Sequence, residues 1–201
     1  MTWLFNRDDY DETVAAMAVS PIASEPLPKG ALVVRLLLEP TFHAAVCITV
    51  RGAEEGSLEV VVPGRGFGAW LMDQRGLLTH SSHRAPSQTV LDLNLAAADI
   101  SVDAYAAFRT ELGQLRLSDL VDLEENARDG LLVRGEIRDQ GAHRWFAAQG
   151  ISPSRSPAHH RFVLAVINLA VEALSHASSD AAVRQALDAV CLYVDERRWC
   201  R

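Results

Sequence analysis

The sequence predicts an α+β domain: a mostly antiparallel sheet of five to six strands, with C-terminal helices packed on one face. Three observations predict it. Three runs of alternating apolar residues crowd into residues 31–62, too close together to enclose crossover helices, so they form a meander. A further alternating pair, residues 131–138 and 143–148, is joined by the short turn Asp139-Gln140-Gly141-Ala142. The strongest helical periodicity follows it, in two segments after Ser156 and Ser179.

In residues 31–39, Leu32, Val34, Leu36 and Leu38 share one face, Arg35 and Glu39 lie on the other, and Pro40 ends the strand. Residues 42–51 alternate again, with Phe42, Ala44, Val46, Ile48 and Val50 on one face, and a Gly-Ala-Glu-Glu-Gly turn leads to the third run, residues 57–62. A fourth strand is expected at residues 89–95. Ser101 has the chemistry of a helix N-cap, and the helix after it runs to about Leu112 with Tyr105, Phe108 and Leu112 on one stripe. Residues 113–128 are acidic, with a short helix from Ser118. In the hairpin, Leu131, Val133 and Ile137 oppose Leu132, Arg134, Glu136 and Arg138. Ser156-Pro157 opens a helix to about His176 that is apolar around nearly its whole circumference, and so is buried. The last helix starts near Ser179-Asp180 and carries Val183, Leu187, Val190, Cys191 and Val194 on one stripe. Ahead of the sheet, residues 11–19 read as a short helix and residues 20–30, with three prolines, as a surface connection. The organisation is therefore an N-terminal segment, residues 1–30, and a single domain, residues 31–201.

Composition narrows the function classes. A formal net charge of -7, from 19 Lys+Arg against 26 Asp+Glu, disfavours a protein that grips nucleic acid. Asp8, Asp9, Asp11 and Glu12 precede any apolar run, which is not the order of a secretory signal. The best apolar stretch, residues 162–171, is broken by Asn168 and stopped by Glu172, short of the roughly 18 residues a membrane span needs. Cys47, Cys191 and Cys200 are odd in number and far apart, as reduced cytoplasmic thiols would be.

Four constellations are candidates for chemistry. Val61-Val62-Pro63-Gly64-Arg65-Gly66-Phe67-Gly68-Ala69-Trp70 has glycines at the first and third positions of a dinucleotide fingerprint. A phosphate cradle needs a helix next, and Leu71-Met72-Asp73-Gln74-Arg75-Gly76 is a poor one. The other readings are a turn with Phe67 and Trp70 packed inward, or an exposed binding loop with Arg65, Phe67 and Trp70 as anchors. His80, His83, His159 and His160 could supply a metal site only if two loops converge, and such histidines in polar loops are ordinarily solvated. Cys47 and His43 lie four residues apart on one strand, about 13 Å, too far for a thiol–imidazole pair, which leaves Cys47 as a buried, inert thiol. Arg134, Glu136 and Arg138 read as a solvated sheet face. Asp119, Asp122, Glu124 and Glu125 read as an exposed segment or, more sharply, as a recognition surface for a basic partner. No GxSxG elbow, HExxH helix, EF-hand loop or GxxxxGK[ST] loop occurs in the sequence.

The run from Asp129 to Leu174, DGLLVRGEIRDQGAHRWFAAQGISPSRSPAHHRFVLAVINLAVEAL, has an Asp-Gly before a hairpin, a proline-containing loop and a closing apolar helix. In that order of elements the last third of the chain resembles small bacterial α+β proteins, some of which are immunity proteins that neutralise a toxin. The resemblance implies a protein-binding role and transfers no functional residue. The expectation is a non-enzymatic cytoplasmic protein that binds another protein, as an immunity-type inhibitor of a basic partner, with no cofactor, nucleic acid or membrane involved. The alternatives are a histidine-dependent metal-binding protein or hydrolase, and a structural subunit of a larger assembly.

Overall fold

The computed structural model describes residues 6–64, 67, 92–123, 130–139, 142–177 and 180–194. Six strands form one antiparallel sheet: Leu32–Pro40 (β1), Val46–Gly52 (β2), Gly56–Pro63 (β3), Leu93–Ile100 (β4), Leu131–Asp139 (β5) and Ala142–Gln149 (β6). Their order across the sheet is β4-β3-β2-β1-β5-β6, so the first three strands are the expected meander and the β5–β6 hairpin joins it beside β1. Four α-helices, Arg7–Ala16 (α1), Val102–Gln114 (α2), Pro157–Ser175 (α3) and Ala181–Val194 (α4), and two 3-10 turns, Ile22–Ser24 and Leu117–Asp119, accompany the sheet in the described residues.

The main core lies between the sheet and α2, α3 and α4. Leu32, Val34, Leu36 and Leu38 of β1 meet Val46, Ile48 and Val50 of β2 and Val133 and Ile137 of β5 on this face. The expected stripes Tyr105, Phe108, Leu112 and Val183, Leu187, Val190, Cys191, Val194 all point into it. Ser101 caps α2 as its chemistry requires, its hydroxyl accepting from the Ala104 amide at 3.2 Å. Ser156 precedes α3 but makes no side-chain cap bond; its hydroxyl accepts from the Ser152 amide at 2.9 Å instead and closes the loop ahead of the helix. At α4 the cap is Asp180, whose carboxylate accepts from the Ala182 amide at 2.8 Å.

Three boundaries differ from the sequence reading. Helix α1 begins at Arg7 because the Asn6 side chain caps it, accepting from the Asp8 amide at 3.0 Å, with Asp8 and Asp9 well placed at the positive helix end. Strand β4 runs to Ile100, beyond the expected end at 95: Ala96, Ala97 and Ala98 carry no hydrophobic alternation, yet each pairs with β3. Strand β2 starts at Val46, so Phe42 and Ala44 are not strand residues. Thr41 holds the preceding turn away from the ladder, its amide and hydroxyl donating to the Gly130 carbonyl at 3.0 and 2.9 Å.

The second face of the sheet is covered by α1 and the connection that follows. Tyr10, Val14, Met17 and Val19 form a small apolar cluster with Leu37, Cys47, Val61 and Phe67. Packing thus begins well before residue 31, and β1 is buried on both sides. The solvated face expected for Arg134 and Glu136 is corrected here: they are 1% and 2% exposed, because α1 lies across them.

Candidate functional site

Two places gather polar or accessible groups, and they differ in kind. The first is the charged row under α1. Antiparallel register aligns Arg35 with Thr49 on one side and Glu136 on the other, while Arg134 lies opposite Leu37. Arg35 is fully buried; its Nε donates to the Thr49 hydroxyl at 3.1 Å and one Nη to the Ser20 carbonyl at 2.7 Å. Arg134 donates to Glu39 at 2.8 Å and to Asp9 at 2.6 Å, with its guanidinium carbon 5.9 Å from the Tyr10 ring centre. Glu136 accepts from Arg7 at 2.9 Å, from the Tyr10 hydroxyl at 3.1 Å and from His143 Nε2 at 2.6 Å. Arg138 donates to the carbonyls of Ile22 and Glu25, and Arg51 clasps the Glu25 carboxylate through two bonds of 3.1 and 2.8 Å.

Most of these bonds run between the sheet and residues 7–25. Burial, together with the negative charge of Glu136, pushes the Tyr10 hydroxyl well above its ordinary range, so it stays a donor. Glu136 spends both carboxylate oxygens on donors from α1 and β6, and Arg134 spends its guanidinium on Asp9 and Glu39. The row therefore works as a latch for the N-terminal segment, with its charged groups paired in place.

Cys47 lies within the same face and is fully buried. Burial pushes its thiol from an ordinary 9.0 up to about 12, so it is protonated and unreactive at neutral pH. The His43 ring sits elsewhere, its Nδ1 3.0 Å from the Tyr193 hydroxyl. Peptide mapping after iodoacetamide treatment at pH 8 should find Cys47 unmodified in native protein and modified in urea. The same shift has a pH consequence. A folded-state pKa raised above the unfolded one favours the protonated fold, so this contribution is intact below about pH 9 and lost as pH climbs toward about 12. Unfolding free energy should fall in that window, and Cys47→Ala should flatten the fall by about 1.4 kcal/mol per pH unit.

The second place is an open cleft of about 640 Å³ at one end of the sheet. One wall is the β1–β2 turn, residues 39–45; another is the close of β3 with Asn94 of β4; the third is the α4 stripe Ala182, Gln185, Ala186 and Ala189. The alanines keep the α4 wall flat, which is why a cleft remains between helix and turn. Phe42 stands at this turn with 73% of its surface exposed. The titratable lining groups are Glu39 and His43, and both are engaged, with Arg134 and Tyr193 respectively. No lysine or arginine is among the described lining residues.

The residues singled out in the sequence fall as follows. Arg65, Trp70, His80, His83, Glu124 and Glu125 lie outside the described residues. Phe67 is only 7% exposed and packs in the cluster under α1, as the inward-packed reading of the glycine segment required. Strand β3 is antiparallel to both its neighbours, so the βαβ crossover that a dinucleotide cradle needs is not built on it. His159 and His160 engage different carbonyls, Nε2 of each lying 2.8 Å from Val121 and 2.9 Å from Val194, and act as braces between segments. Among the described residues no three His, Cys, Asp or Glu side chains come close enough to hold a metal. Asp119 is exposed at the end of a single 3-10 turn, Leu117–Asp119, whereas Asp122 accepts from the Ala147 amide at 2.9 Å and ties this segment to β6. Among the described residues no helix is long and apolar enough to cross a membrane.

Sequence reasoning missed the cleft. Phe42 fitted an alternating strand pattern, and the small stripe on α4 carries no chemical signature. No protein-family model matches the chain, and neither a curated protein nor a solved structure is significantly similar to it.

Proposed function

We propose that the protein is a non-enzymatic binding protein of the cytoplasm, an immunity-type inhibitor that seats part of a basic partner in the cleft beside Phe42. The observation that carries this reading is the combination at that cleft: an aromatic side chain 73% exposed over a mostly apolar hollow of about 640 Å³. A large exposed aromatic costs hydration and contributes to binding when a partner covers it. The described titratable groups of the cleft, Glu39 and His43, are engaged within the fold, which favours occupancy by a side chain over chemistry on a substrate. Among the described residues the cleft's lining has a carboxylate and no lysine or arginine, and the whole chain carries -7, so the sign favours a partner that presents an apolar group flanked by lysine or arginine. Cys47 and Cys191, buried as free thiols, suit a reducing compartment.

Immobilised protein should retain one stoichiometric basic polypeptide from native lysate. Phe42→Ala, which removes the aromatic, and Ala182→Arg, which fills the hollow with a positive charge, should each weaken that complex at least about tenfold, the scale of an interface anchor. Val121→Ser, at an exposed apolar residue elsewhere on the surface, should leave it unchanged. A partner held equally by all variants would move the binding surface off the cleft, and no partner at all would overturn the reading.

A further inference from the structure

We draw no further inference here: the strongest candidate, the outer edge of β4 with the exposed side chain of Leu95 beside it, carries nothing because no described residue shows what covers it.

Discussion

Replacing Arg134 with alanine is expected to destabilise the protein by about 3–5 kcal/mol, the cost of removing one partner from a buried ion pair. The guanidinium is 1% exposed and bridges Asp9 on α1 to Glu39 on β1, so its loss removes the buried cation that ties the two carboxylates together across the sheet face. The residue also carries the contact between α1 and the sheet through its approach to the Tyr10 ring. Urea unfolding followed by circular dichroism measures the loss, and limited proteolysis reports whether residues 6–30 become accessible. A companion variant separates the pair's net value from the penalty of breaking it. Replacing Asp9, Glu39 and Arg134 together with apolar residues of similar volume should restore stability to within about 1 kcal/mol of wild type, because no charge is then left unpaired. If Arg134→Ala costs less than about 1 kcal/mol, the charged row does not hold the N-terminal segment.

That row marks where the sequence was least legible. Leu32, Val34, Leu36 and Leu38 announce their face through a period of two, and the structure places all four in the main core. Arg35, Arg134 and Glu136 sit at the alternate positions, where charge ordinarily means water. What buries them is α1, whose Asp9 is 125 residues from Arg134 in sequence. A local pattern holds no record of such a distant cover. Strand β4 failed for a different reason: Ala96, Ala97 and Ala98 fit any face of any element, so pairing with β3 alone decides their conformation. The cleft combines both effects, since the alanines of α4 are silent and Phe42 is recruited to a turn by Thr41 and Gly130. The stripes on α2 and α4 were legible because large apolar side chains at a spacing of three and four leave one arrangement that buries them.

The packing around Phe146 yields the other large effect. Phe146 pairs with Gly135 across β5 and β6, and its ring lies over the glycine: a Cβ at position 135 would come 2.1 Å from the ring's Cε1. From there the ring meets His159 and Phe162 of α3 edge-on, with centres 5.4 and 5.6 Å away, which fixes how α3 sits on the sheet. Phe146→Ala should cost about 3–5 kcal/mol through lost burial and the cavity left behind. Gly135→Ala alone should cost about 1–3 kcal/mol, because α3 leaves the ring nowhere to retreat. The two changes should not add. With the ring gone, a methyl at position 135 occupies part of the vacated space and restricts the unfolded chain, so Gly135→Ala should stabilise the Phe146→Ala protein by about 0.5–1 kcal/mol. A double-mutant cycle from urea unfolding reads this reversal of sign directly. Additive losses would mean that the ring and the glycine are independent, and that α3 takes its position from the other contacts of the main core.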